Sequence, residues 1–439
     1  MPPQNETSVS APRLPFIDGL RGIAVLAVVC FHAVLWGGIP TEDEGVFYMF
    51  DGAIPIELGH IRHFATIGGG GVDLFLAISG FCLFWPLVKN GTSRAEPLRI
   101  GSYFQRRIRR ICPPYYFAFA GVLLVSFLTY QFEGMSWWPW KPNSFQNAFP
   151  WKGTDSIYNV VSHLLLIHGF FSAYISAYEG AYWSLSTEWQ FYFLFVPLAL
   201  IARRFGVMWA VAVPVLFTVL FRMVCTVYFP DFLPSQVGTL FSLSRWVQFG
   251  AGMLAAVVVS GSLPTKLGNA LKPLRPLRWG YLLISVIIAP LSEYMLSSLS
   301  QQPWPLNLDQ MMVSPHFRPF IWANAGFALM TVGSNEGGPL RKLLEWRPLV
   351  WVGTFSYSLY LTHGMVYMGM ALLLSRFVVP RDIRQLIYLA LGPVIAIAFS
   401  WLFFLCFEKP FLSGTKTRRK TNRTLETVPA ATVQDQAIP

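Results

Sequence analysis

Apolar stretches long enough to cross a membrane recur along most of this chain. A bilayer's hydrocarbon core takes about 20 consecutive apolar residues of helix. Candidate stretches lie near 16–36, 69–88, 111–130, 156–175, 183–202, 207–228, 239–260, 279–297, 319–334, 351–375 and 386–407. A soluble domain has no use for so many. Charged residues make up 13% of the 439 residues against 54% hydrophobic, about half the charge of an average soluble domain, and too little to cover a soluble surface. The same balance excludes a disordered chain, a collagen-like fibre and a small disulfide scaffold. The 37 Phe, 17 Tyr and 16 Trp suit a bilayer, where aromatic rings collect at the interfaces. The expected fold class is an all-α polytopic membrane protein, and no nucleic-acid partner is expected.

Loop charge sets the expected orientation, because Lys and Arg concentrate on the cytoplasmic side. The 36–68 connection carries Glu42, Asp43, Glu44, Asp51 and Glu57 against Arg62 and reads as outside. The 89–110 connection carries Lys89, Arg94, Arg99, Arg106, Arg107, Arg109 and Arg110 against Glu96 and reads as inside. Arg203 with Arg204, the 266–278 loop, the 341–347 loop and the 416–423 tail read as inside too. These agree only if one stretch between 131 and 182 does not cross. The weakest is 156–175, with His163, His168 and several hydroxyl and Gly residues, so it is expected as a half-helix or interfacial helix. About ten spans follow, with both termini cytoplasmic. Arg376, Arg381 and Arg384 dissent, since they fall outside. The expected division is a cytoplasmic tail over 1–13, a membrane domain over 14–411 and a disordered basic tail over 412–439. The polar start shows no charged segment followed by a cleavage site, so the first apolar run is expected to be retained. Of the five cysteines, four lie in apolar runs and none forms a C-x-x-C pair, which reads as buried thiols. No metal site is expected.

Ionisable residues inside spans are costly and therefore candidates for function. In FIDGLRGIAVLAVVCFHAVLW, Arg21 and His32 are eleven residues apart, about three turns or roughly 16 Å along one face. Asp18 sits one turn before Arg21 and can pair with it, as a functional group or as an anchor for the helix end. GGGGVDLFLAISGF places Asp73, Ser79 and Gly80 in a second span. The glycines permit close backbone approach, and Ser79 and Gly80 also fit plain small-residue packing. FQRRIRRICPPYYF clusters Arg106, Arg107, Arg109 and Arg110, suited to gripping phosphate or, equally, to inward topology and anionic lipid contact. WSLSTEWQFY brings Glu188 into an aromatic run. FSYSLYLTHG sets Ser356, Tyr357 and His363 on a polar stripe that suggests a hydrated cavity.

Taken in this order, over roughly 14–411, these stretches resemble the membrane acyltransferase-3 family. The resemblance implies transfer of an acyl group, most often acetyl, from cytoplasmic acyl-CoA to a hydroxyl of a glycan or a secondary metabolite. It implies a functional Arg21–His32 pair, donor phosphates near the Arg106–Arg110 cluster, and Asp73, Glu188, Ser356, Tyr357 and His363 at the site, with Asp18 and Ser79 as further lining. Leu76, Ala77 and the double proline of CPPYY depart from the family pattern and point to an altered pocket shape. Many relatives carry an appended extracytoplasmic domain, absent from this sequence, so the membrane domain is expected to complete the transfer or to pass the acyl group on. A hydroxyl is a poor nucleophile at neutral pH and gains about 10²–10⁴-fold from a nearby base. Histidine can serve near pH 7. His32 is the expected base, with Arg21, Asp73 and Glu188 around the chemistry. The expected acceptor is a glycan or lipid-linked sugar, the expected setting a bacterial inner membrane, and the expected contacts acyl-CoA and membrane lipids. A small secreted acceptor such as a macrolide stays open. So does a transporter, although no internal repeat supports one.

Overall fold

A computed structural model describes residues 14–37, 59–89, 99–132, 154–229, 231–233, 236–299, 318–374, 377, 379 and 381–412. The tails expected over 1–13 and beyond 412, and most of the charged 36–68 and 89–99 connections, lie outside these residues. The described residues are mostly helical and include no strand. In chain order the helices are α1 (Pro15–Gly37), α2 (Gly59–Val88), α3 (Ile100–Phe132), α4 (Thr154–Leu164), α5 (Trp183–Arg204), α6 (Val207–Tyr228), α7 (Gln236–Leu240), α8 (Ser242–Val259), α9 (Thr265–Leu271), α10 (Arg278–Leu299), α11 (Arg318–Gly333), α12 (Pro339–Leu344), α13 (Arg347–Thr354), α14 (Ser356–Leu374) and α15 (Arg381–Phe403). A π-helical turn (Phe404–Glu408) joins α15 to α16 (Lys409–Leu412).

Six helical segments are long and apolar enough to cross a membrane: Pro15–Trp36, Gly68–Val88, Gly180–Arg204, Val207–Tyr228, Ser242–Val259 and Ile383–Leu412. The expected count of about ten is not reached among the described residues. α3 and α14 have the length, at 33 and 19 residues, but α3 opens on four arginines and α14 on a run of hydroxyls. α4 has 11 residues. At 1.5 Å per residue it is about 16 Å long, roughly half the thickness of a hydrocarbon core. As a helix it is too short to cross. The irregular backbone after it is tied down by tyrosines. Tyr115 and Tyr116 of α3 donate to the carbonyls of His163 (3.2 Å) and Leu164 (2.8 Å). Tyr360 of α14 donates to Ala181 O (2.7 Å), and Tyr182 donates to Leu361 O (3.1 Å). Such bonds meet the requirement that irregular backbone in apolar surroundings satisfy its polar groups within the protein.

α1 lies at the centre, packed against α2, α13, α14 and α15. Its buried residues, among them Ile17, Leu20, Ala24, Val25, Val28 and Val29, occupy more than one face, as a surrounded helix requires. α2 in turn packs on α8. At that crossing a Cβ on Gly80 would collide with the carbonyl of Phe249, and one on Gly252 with the carbonyl of Ala77. The two backbones touch through reciprocal glycines, the small-residue contact foreseen for Gly80. On the periphery, α6 exposes Leu216, Leu220, Met223 and Val227, and α10 exposes Leu283, Ile284 and Ile287. A contiguous apolar exterior of this kind belongs against lipid.

Candidate active site

Two adjoining cavities lie between α1, α2, α3, α5 and α14. The larger, of about 400 Å³, is lined by Asp18, Arg21, Trp85, Arg107, Arg110 and Glu408 among others. The smaller, of about 70 Å³, is lined by Arg21, Phe75, Ser79, Glu188, Tyr192 and Tyr360 among others. Arg21, Arg110, Ser356 and Tyr357 border both. Of the four clustered arginines, Arg107 and Arg110 turn inward and Arg106 and Arg109 are exposed. The spacing explains the division: residues three apart share a helix face, and the 107/110 pair is the one on the buried side of α3. Arg107 stacks its guanidinium on the rings of Tyr103 (5.8 Å) and Tyr192 (5.6 Å), and its buried Nε has no hydrogen-bond partner among the described residues.

Arg21 donates to Asp18 Oδ1 (3.1 Å) and to Cys82 Sγ (3.3 Å), so the Asp18–Arg21 pairing expected one turn apart is present at the cavity wall. Across the chamber Ser79 (2.9 Å) and Tyr192 (2.6 Å) both donate to Glu188 Oε1. Tyr357 donates to Ile111 O (3.0 Å), which ties α14 to α3. At the far end Tyr360 is held by Ser184 Oγ (2.6 Å), and Phe75 leans on it with ring centroids 6.1 Å apart.

His32 and His363 line neither cavity. They meet each other immediately behind Tyr360, whose ring is 5.8 Å from that of His363. His363 Nδ1 faces Leu359 O at 3.2 Å. A carbonyl only accepts, so this nitrogen carries the proton and His363 Nε2 presents a lone pair. His32 Nδ1 lies 3.1 Å from that lone pair and 2.9 Å from Val28 O. Both neighbours are acceptors, so His32 Nδ1 carries the proton and shares it between them. This tautomer assignment, made from the hydrogen-bond network, leaves the lone pair of His32 on Nε2.

Asp73 is elsewhere. It is fully buried and receives Arg245, Gln248 of α8 and Arg318 of α11, the last at 3.1 Å. Arg245 also lies over the Trp183 ring. Asp73 borders neither cavity, and its partners join α2, α8 and α11 rather than facing the histidines. Arg245 and Glu408 escape the sequence reading, although each is an ionisable residue within an apolar run and meets the criterion that singled out Glu188. Glu408 stands on the π-helical turn, where it accepts Ser358 Oγ (2.5 Å). Trp85, whose buried Nε1 has no partner, carries no signal in the sequence beyond its aromatic type.

The site thus combines an inward pair of guanidiniums, a carboxylate held by hydroxyls, and a hydrogen-bonded histidine pair. It can hold an anionic ligand and can accept a proton. Known proteins are similar to this chain. The peptidoglycan O-acetyltransferase OatA of Listeria monocytogenes is 22% identical over 379 residues, covering 81% of this chain and 50% of that protein. YrhL of Bacillus subtilis, associated by name with peptidoglycan O-acetylation, is 25% identical over 368 residues, covering 80% of this chain and 48% of that protein. The acyltransferase MdmB of Streptomyces mycarofaciens is 26% identical over 187 residues, covering 42% of this chain and 38% of that protein. The chain spans about half the length of the first two relatives. No solved structure matches it. The family model described as an acyltransferase domain matches residues 14–405, and the chain belongs to the membrane acyltransferase-3 family.

Proposed function

We propose that this chain transfers a short acyl group from cytoplasmic acyl-CoA to a hydroxyl of a surface glycan or lipid-linked sugar, with His32 as general base. The observation that carries the reading is the succession of groups along one path. A basic cavity at Arg107 and Arg110 adjoins the Arg21–Glu188 chamber, and Tyr360 in the chamber wall neighbours His363, which meets His32. Guanidiniums grip phosphates bidentately, so Arg107, Arg110 and Arg21 hold the body of the donor. Arg21 and His32 are about 16 Å apart along α1. Arg21 therefore serves the donor rather than the reacting carbonyl, and the extended arm of the donor carries the thioester past Phe75 and Tyr360. The names of two relatives support a glycan acceptor and an acetyl group. The basic loops support a donor side in the cytoplasm, with both termini there and the membrane a bacterial inner membrane.

In the reaction, His32 Nε2 takes the proton of the acceptor hydroxyl as its oxygen attacks the thioester carbon. The tetrahedral oxyanion collapses, the carbon–sulfur bond breaks, and the departing sulfur takes the proton back from His32. A base of this kind contributes about 10²–10⁴-fold. His32→Ala should lower transfer by that factor in purified protein while expression and acyl-CoA binding persist. Transfer within a few-fold of wild type in that variant would remove the base role from His32 and pass it to His363 or Glu188.

A further inference from the structure

The geometry points to a specific role for His363: it is a positioning residue that accepts the Nδ1 proton of His32 and holds that ring ready to act through Nε2. The inference rests on the reading of His32 as the base and deepens it.

His363 is fully buried, on α14, and faces α1. Two further hydroxyls stand near it, and both are committed elsewhere. Tyr360 donates to Ala181 O at 2.7 Å, and Tyr367 donates to Val29 O at 2.8 Å. Leu359 O fixes the proton of His363 on Nδ1, so Nε2 can act only as an acceptor while the ring is neutral. The donor it meets is His32 Nδ1–H. Val28 O alone could hold that proton, but a backbone carbonyl one turn back pulls the ring toward its own helix axis. The second acceptor comes from the facing helix and sets the ring plane between α1 and α14. It also gains strength during the reaction. When His32 Nε2 takes the hydroxyl proton, the ring becomes an imidazolium, and its Nδ1–H then makes a charge-assisted bond, roughly twice as strong as a neutral one. His363 keeps its own proton on Nδ1 throughout, and no proton is transferred to it.

Two measurements test this together. In protein labelled with ¹⁵N-histidine, a two-bond coupling across the N–H···N bond should join His32 Nδ1 to His363 Nε2, and it should vanish in His32→Ala. Absence of that coupling, or a His32 proton found on Nε2, overturns the inference whatever the activity shows. In kinetics, His363→Leu should lower kcat by between about 10- and 10²-fold, a part of the 10²–10⁴-fold attached to the base itself, with KM for acyl-CoA within about two-fold. His363→Gln, whose amide oxygen can accept the same proton, should recover most of the loss. Equal loss in Leu and Gln variants with the coupling present in wild type also overturns it, since packing alone would then explain the defect. If His32→Ala retains transfer while the coupling is seen, the base reading falls and the hydrogen bond stands. If His32→Ala is inactive and the coupling is absent, the base reading stands and this inference falls.

Discussion

Asp73 and Glu188 are both carboxylates inside apolar helices, and their surroundings give them different work. Asp73 is enclosed by two guanidiniums and an amide. Its charge is fully engaged in joining three helices. Glu188 is held by two hydroxyls at a cavity wall, where a ligand can reach it. Breaking a buried ion pair by removing one partner costs about 3–5 kcal/mol, and Arg245 is only 2% exposed. Asp73→Ala should therefore lower the melting temperature strongly and Asp73→Asn less, while specific activity per folded molecule stays near wild type. An inactive but fully stable variant would return Asp73 to the chemistry. Arg107 and Arg110 present the opposite case. Changing both to Ala should weaken acyl-CoA binding with folding intact, and changing both to Lys should restore binding only in part, because an ammonium lacks the planar fork. Equal donor affinity in the Ala variant would leave the pair a topological role alone. At this scale the sequence exposes which residues are costly, since an ion in an apolar run is visible by itself. It does not expose who meets whom. Asp73 finds Arg245 and Arg318 across 172 and 245 positions, and no local spacing encodes such a pairing.

Helices meet here by backbone as much as by side chain. The run GGGGVDLFLAISGF announces close approach, and α2 makes it on two sides. Gly71 lies against the Ala24 carbonyl of α1, and Gly80 against the Phe249 carbonyl of α8. Overpacking a tight core costs about 1–3 kcal/mol, and a backbone carbonyl cannot rotate away as a side chain can. Gly80→Ala should accordingly destabilise by at least that amount and Gly80→Leu should abolish folding. Gly369 of α14 has nothing within 4 Å of its absent Cβ, so Gly369→Ala should be neutral or stabilise by up to about 1 kcal/mol through helix propensity. Thermal melts of the three variants in one detergent check the order. The shortness of α4 is legible too, because its hydroxyls and His163 interrupt the apolar run. The π-helical turn over Phe404–Glu408 is not. One extra residue in a helical turn leaves composition and periodicity almost unchanged, yet it decides where Glu408 points.

Across the whole molecule the groups of the proposed reaction are spread along one route, and the histidines line neither of the two cavities described. The polar stripe of Ser356, Tyr357 and His363 suggests a hydrated cavity, and Ser356 and Tyr357 do line both cavities. His363 lines neither cavity, and its ring stands 5.8 Å from that of Tyr360 in the chamber wall. Side-chain conformation decides such a placement, and residue type alone carries no trace of it. Phe75 and Tyr360, both in the wall of the smaller cavity, are held differently. Tyr360 is fixed by hydrogen bonds to Ser184 and Ala181. Phe75 is half-buried and rests on Tyr360 by ring contact, at 6.1 Å and 72°. A ring without a hydrogen bond turns more readily than a bonded tyrosine, so on the proposed reading Phe75 is the side chain that admits the acyl arm. On the same reading Phe75 also keeps water away from a bound thioester, and exclusion of water is what suppresses hydrolysis in such sites. Phe75→Ala should then raise CoA release from acyl-CoA several-fold in the absence of acceptor, while transfer to acceptor falls or stays level. Free thiol, followed with a chromogenic thiol reagent in detergent-purified protein, measures the first, and acyl incorporation into glycan measures the second. Should CoA release stay at the wild-type level with transfer unchanged, the acyl arm does not pass Phe75, and the donor must reach His32 by another face of α1.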